Sequence, residues 1–236
     1  MSAMRVIDLN ADLGEGGTDD AALLALVSSA NIACGGHAGD DETMRRTINL
    51  ARASGVAIGA HPGYEDRENF GRVALVLPLK EITALVRRQV EKLALFASDA
   101  GGRIHHVKPH GALYNQASRD PLLAAAVVKG VTAISQDFIL YALPNSALAD
   151  AGRAAGLTIW REGFADRRYR DDGSLTPRSV PGAVIKDVET AVAQALEIAS
   201  GGTVETLCIH GDGATAVAML QAIRAQLGEA GFAVGR

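Results

Sequence analysis

A seven-fold alternation constrains this chain more than any other feature. Short, mostly apolar runs occur at Arg5–Leu9, Asn31–Cys34, Val56–Ala60, Arg103–Lys108, Phe138–Ala142, Leu157–Arg161 and Glu205–Ile209. Each is followed by a longer stretch of helical character. Continuous apolar runs belong to strands buried on both faces, as in a parallel sheet covered by helices. The helical stretches supply the crossovers that parallel strands require. Thr18 or Asp19 is placed to cap a helix reaching Ser28, and Asp40 or Asp41 to cap the next, which Gly55 stops. Pro78 opens a long helix whose Ile82, Leu85, Val86, Val90, Leu93 and Phe96 form one stripe. Further helices are expected at about 121–135, up to Gly156, at about 186–200, and from the last strand to about Ala230.

An open doubly wound sheet and a closed barrel both fit this string. Polar residues decide between them, because they gather after strands one, two, three, four, six and seven. A closed barrel brings nearly all strand ends to one mouth, whereas an open sheet collects ligands at a single switch point. The expectation is one domain over residues 1–236, a seven-stranded parallel (β/α) barrel.

Composition narrows the partners. The chain is 48% hydrophobic with a net charge of −4 and no basic block, which argues against nucleic acid. The first eight residues reach charge at once, and no apolar run approaches the roughly 20 residues that span a bilayer. A soluble, cytoplasmic protein is expected. Cys34 and Cys208 lie far apart and form no metal-type pair. Each reads as a small buried hydrophobe, with a nucleophilic role for Cys34 as the alternative. No GxxxxGK[ST] and no GxGxxG follows a strand, so a conventional nucleotide cradle is missing.

Three strand ends repeat one layout: Asn10-Ala-Asp12, Lys108-Pro-His110 and His210-Gly-Asp212. In each, two polar side chains two residues apart share a face of extended chain. Lys108 and His110 put a cation beside a titratable imidazole, and Pro109 biases the residue before it toward extended backbone. His37, His61 and Glu162 add single polar groups after strands two, three and six. Asp12, His37 and His61 together could hold a divalent metal, carboxylate plus two imidazoles being a common catalytic set. The polar stretch from Glu162 to Pro181 reads as an ordered loop or lid that brings Arg167 and Arg178 to an anion, with a mobile surface insertion as the alternative. Arg67 and Arg72 are second candidates for holding a carboxylate.

Longer motifs point further. Asp8-Leu-Asn-Ala-Asp-Leu-Gly-Glu15, Asn31-Ile-Ala-Cys-Gly-Gly-His37, Gly59-Ala-His-Pro-Gly63, Phe70-Gly-Arg72, Val107 to Tyr114, Phe164-Ala-Asp-Arg167 and His210-Gly-Asp212 together resemble the LamB/YcsF family over nearly the whole chain. The resemblance implies a barrel related to the glycoside hydrolase/deacetylase superfamily. It also implies the reaction of the A component of an ATP-hydrolysing 5-oxoprolinase. That reaction is ATP-dependent opening of 5-oxoproline (pyroglutamate) to L-glutamate, carried out with partner subunits B and C. ATP would then bind at an interface or on a partner. The metal-binding histidine pair of the deacetylase relatives is not reproduced.

An unstrained lactam is a stable amide, so its hydrolysis needs an activated carbonyl. Asp12 or His110 would activate water, Lys108 would stabilise the oxyanion, and His210 with Asp212 would relay protons. Substrate contacts are expected from Asn10, His61, Tyr64, Arg72, Tyr114, Asn115, Glu162, Asp166 and Arg167. Two alternatives come from other classes: a metal-dependent carbohydrate or N-acyl deacetylase, and a non-catalytic subunit that binds substrate for its partners. Stereochemistry and oligomeric state stay open at this level.

Overall fold

The computed structural model describes residues 5–17, 19–210 and 215–236. The described residues hold eight strands and eight helices, alternating except where α4 and α5 follow each other: β1 (Arg5–Leu13), α1 (Asp20–Leu24), β2 (Ser29–Ala33), α2 (Asp41–Ala53), β3 (Ala57–His61), α3 (Leu79–Asp99), β4 (Ile104–Val107), α4 (Gly111–Ala117), α5 (Pro121–Thr132), β5 (Ile139–Ala142), α6 (Ala147–Ala154), β6 (Thr158–Phe164), α7 (Val188–Gly201), β7 (Thr206–His210), α8 (Ala216–Glu229) and β8 (Phe232–Val234). All strand pairs are parallel, in the order β2-β3-β4-β5-β6-β7-β1, and a further β1–β2 pairing closes the ring. This is the seven-stranded closed barrel expected from the alternation. β8, unforeseen at three residues, pairs with Arg5–Ile7 ahead of the ring.

Burial on both faces hides a second pattern inside each strand. Along β1, Ile7, Leu9, Ala11 and Leu13 pack in the hydrophobic core, while Asp8, Asn10 and Asp12 turn to the barrel interior. On β7, Leu207 and Ile209 pack outward while Thr206, Cys208 and His210 pair in register with Asp8, Asn10 and Asp12. The bottom of the interior is a hydrogen-bonded polar layer. Asp8 accepts from Ser28, Ser29, Thr206 and Tyr141 hydroxyls at 2.5–3.2 Å. His106 stacks on Tyr141 with centroids 4.1 Å apart and bonds Asn31 Oδ1 at 2.8 Å.

Two strand ends therefore lie further along than their hydrophobicity suggests. β1 continues through Asn10 and Asp12 to Leu13, and β6 continues through Glu162 to Phe164. The first helix is shorter than expected, and Ser29 already belongs to β2. Thr18, one of its expected caps, lies outside the described residues. The caps at Asp40, which accepts from the Thr43 amide, and at Pro78 are as expected. The polar stretch after β6 is an ordered loop, tied by antiparallel bridges Arg167↔Val184 and Tyr169↔Leu175. Among the described residues, no helix is long and apolar enough to cross a membrane.

Candidate functional site

The strand C-termini open on a pocket of about 330 Å³. Of the residues expected at a site, Asp12, His61, Arg72, Lys108, His110, Tyr114, Asn115, Arg167 and His210 line it, with Phe164 and Arg178 beside them. Others fall elsewhere. Tyr64 is buried in the hydrophobic core, its hydroxyl donating to Gln116 Oε1 at 2.8 Å, and it does not line the pocket. Asn10 lies below the pocket floor, donating to Glu162 Oε1 and Thr206 Oγ1 at 3.2 and 2.7 Å. Glu162 sits at the same level, and Asp166 stands behind His210. Arg67 is spent on the backbone, bonding the carbonyls of Gly35 and Gly39, and does not line the pocket. Asp212 lies outside the described residues.

Lys108 is the centre of the floor. Its Nζ is 3.0 Å from Asp12 Oδ1, 2.9 Å from Glu162 Oε1, 3.0 Å from Cys208 Sγ and 3.4 Å from Asn10 Oδ1. Burial works against its charge, but Asp12 and Glu162 overcome this and hold its pKa well above the ordinary lysine value. Burial keeps Cys208 a neutral thiol. Cys208 is thus a contact of the buried lysine and not merely core filling, which its apolar strand conceals. An ammonium has only three protons, and the carboxylates take the better share. The thiol, a weak acceptor, is the partner most readily exchanged for a substrate oxygen. Asp12 is pushed up by burial, yet His61 and Lys108 hold it well below the usual carboxylate range.

His210 faces two carboxylates. Its Nδ1 donates to Asp166, 3.0 and 2.9 Å from the two carboxylate oxygens, and its backbone N–H bonds the same group at 3.1 Å. That fixes Nε2 toward the interior, 3.8 Å from Asp12 Oδ2. Asp166 is the carboxylate that holds the His210 ring, a residue expected only as a substrate contact. Because 44 residues separate it from His210, spacing alone could not reveal the pair.

Above the floor, the pocket wall is cationic. Arg167 is 3% exposed, donates to the Thr176 carbonyl at 2.6 Å, and leaves Nε without a hydrogen-bond partner among the described residues. Burial and the nearby Arg178 guanidinium pull its pKa down to about 10, so it remains charged at neutral pH. The Tyr114 hydroxyl and Glu162 Oε2 are likewise buried and unpartnered among the described residues.

On the β1–β4 side, His61 and His110 meet with Nε2 and Nδ1 2.9 Å apart. His37 stacks on His110 with centroids 3.6 Å apart. Gln89 braces the turn after β3, exchanging hydrogen bonds with the backbone N–H and carbonyl of Gly63 at 3.0 and 2.7 Å. Glu15, just beyond β1, was absent from the expected set. Its Oε1 lies 3.0 Å from His37 Nε2. Of the expected donor set, Asp12 lies 3.3 Å from His61, and His37 is reached through Glu15. The ligand atoms of Glu15, His37, His61 and His110 all lie within 4.8 Å of one another, and Asp12 instead groups with Cys208 and His210. Cys34 is buried, and burial pushes its thiol up to about 12, which favours the neutral form.

Fold and site together define a parallel (β/α) barrel with a buried lysine–carboxylate cluster at its mouth. The chain belongs to the LamB/YcsF family, whose sequence profile matches residues 7–236. It is similar to the lactam utilization protein from Thermus thermophilus, with 39% identity, a TM-score of 0.90, and coverage of 97% of this chain and 98% of that one. More distant likenesses show the fold alone. The family 4 carbohydrate esterase from Streptomyces lividans gives a TM-score of 0.54 at 13% identity, covering 98% of this chain and 92% of that one. The peptidoglycan N-acetylglucosamine deacetylase catalytic domain from Eubacterium rectale gives 0.56 at 12%, covering 99% and 89%.

Proposed function

We propose that this chain is the lactam-opening A component of an ATP-dependent 5-oxoprolinase, which releases L-glutamate from 5-oxoproline together with partner subunits B and C. The observation that carries the reading is the buried Lys108, clamped by Asp12 and Glu162 and opening onto a small pocket walled by arginines. The likeness to a lactam utilization protein supports the substrate class. A pocket of about 330 Å³ suits a small metabolite such as a five-membered lactam acid. Arg167, with Arg72 and Arg178, receives the carboxylate that this substrate carries.

Hydrolysis then divides among the floor residues. Water attacks the lactam carbonyl carbon, and His210 Nε2, oriented by Asp166, takes its proton. Lys108 exchanges its thiol contact for the carbonyl oxygen and stabilises the negative charge that develops there. The C–N bond breaks, and the ring nitrogen leaves as an amine after receiving the proton from His210. ATP supplies the activation that an unstrained amide needs by transferring its terminal phosphoryl group to the lactam carbonyl oxygen, at an interface or on a partner because this sequence carries no phosphate-cradling motif. C–N cleavage then leaves a glutamyl phosphate, and a second water releases phosphate and L-glutamate. The test is ATP-dependent glutamate release from 5-oxoproline by this chain with and without subunits B and C. Glutamate formed only by the full mixture supports the reading. Full activity of subunits B and C without this chain refutes it.

A further inference from the structure

Two buried polar atoms beside the pocket floor have no use in the hydrolysis described above. The Tyr114 hydroxyl and Glu162 Oε2 both lack a hydrogen-bond partner among the described residues. Buried polar groups are rarely left so, and a pair of them at one pocket marks a place where a ligand completes the bonding. The other Glu162 oxygen is engaged, Oε1 lying 2.9 Å from Lys108 Nζ and 3.2 Å from Asn10 Nδ2. Tyr114 lines the pocket and Glu162 does not. Helix α4 fixes where the phenol stands. Gly111 holds a φ of 51°, and a Cβ there would meet the Gly71 carbonyl oxygen at 2.7 Å, so the helix starts tight against that turn. The Ala112 N–H donates to the same oxygen at 3.0 Å. The Tyr114 ring stands edge-on to Phe164 with centroids 5.8 Å apart, and Lys108 Nζ is 5.1 Å from the Phe164 centroid.

The direction of the phenol's hydrogen follows from its neighbour. Burial, and then the charge of Glu162, push the Tyr114 hydroxyl well above the usual phenol range, so it keeps its proton at neutral pH. A carboxylate only accepts and a phenol has a single hydrogen. That hydrogen turns to Glu162, which leaves the phenolic oxygen as an acceptor for whatever fills the pocket. The other floor carboxylate is already engaged. Asp12 Oδ1 accepts from Asn31 Nδ2 at 2.8 Å and from Lys108 at 3.0 Å, and Oδ2 faces His61 at 3.3 Å. We propose that the Tyr114 hydroxyl, aimed by Glu162, accepts the ring N–H of the substrate and so selects cyclic amides over lactones of the same shape. This rests on the reading of the substrate as a lactam acid. 5-Oxoproline presents a carbonyl oxygen, an N–H and a carboxylate, and Lys108, Tyr114 and Arg167 of the one pocket answer them in turn. A lactone would set its ring oxygen against the phenolic oxygen, acceptor against acceptor. Tyr114 is then the specificity residue, and Glu162 a positioning residue that acts through it.

Isothermal titration of the full-length protein with 5-oxoproline and with the γ-lactone of 2-hydroxyglutarate, in which an oxygen replaces the N–H, tests this. The wild type should prefer the lactam by at least about tenfold, because a site built to bond an N–H rejects the analogue that lacks it. Tyr114→Phe should bring the two affinities to within about twofold of each other. Glu162→Gln should also shrink the preference, since its amide can donate to the phenolic oxygen and turn the hydroxyl hydrogen away. Circular dichroism identifies the variants that fold, and His105→Ala, outside the pocket, should keep the wild-type preference. If Tyr114→Phe does not fold, the wild-type comparison decides alone. Equal affinity of the wild type for lactam and lactone, or a folded Tyr114→Phe that retains the preference, would overturn the inference and leave the lactam reading standing. Binding of neither ligand by the wild type would count against that reading and remove this inference with it.

Discussion

Lys108 shows how far a residue's neighbours set its consequences. From sequence, Lys108→Met should keep the fold and lose only catalysis. Its 2% exposure between Asp12 and Glu162 changes that expectation. Removing the ammonium leaves two buried carboxylates facing each other, a loss of about 3–5 kcal/mol. A urea titration should show this drop, and the surviving fraction of the assembled enzyme should lose about a hundredfold in kcat. A variant as stable as the wild type would mean that the carboxylates are not both ionised. Asp166→Asn tests the orienting carboxylate: kcat should fall by about a hundredfold or more with KM nearly unchanged, because His210 loses its fixed tautomer. A change confined to KM would make Asp166 a binding residue. Cys34, with its thiol at about 12, should resist iodoacetamide at about pH 8 until the protein unfolds.

At the scale of elements, the strands were legible and their ends were not. Hydrophobic runs locate all seven barrel strands, because each has an outward face packed under helices. Those runs stop early in β1 and β6, where Asn10, Asp12 and Glu162 point into a polar interior. A close-packed polar lumen is invisible to hydropathy, since its residues look like loop. Glu15 sits at the end of the long first motif, yet nothing in its spacing tied it to His37, which lies 22 residues away. Tyr64 misled in the opposite way, its polar tip being satisfied by Gln116 inside the core. β3 offers a direct test of lumen packing. A Cβ at Gly59 would collide with the His106 ring at Nε2, and that ring is pinned by Asn31 and stacked on Tyr141. Gly59→Ala should therefore lower stability by about 1–3 kcal/mol, read as a reduced denaturation midpoint. An unchanged midpoint would show that His106 can move aside.

For the whole molecule, ring closure turns scattered residues into one site. Asp12, Lys108, Asp166 and His210 come from distant parts of the chain, yet parallel strands deliver them to the same end of the barrel. The alternation made that closure legible in advance, whereas the choice of partners within the mouth required coordinates. The central claim is that this mouth opens a lactam that its partners and ATP have made reactive. Glutamate release from 5-oxoproline, measured with this chain alone, with subunits B and C alone, and with all three plus ATP, tests it most directly. Either part should give negligible glutamate, and the complete mixture should release it robustly. ATP-coupled hydrolysis by this chain alone, or full turnover by B and C without it, would show that the reaction is not divided between the barrel mouth and its partners.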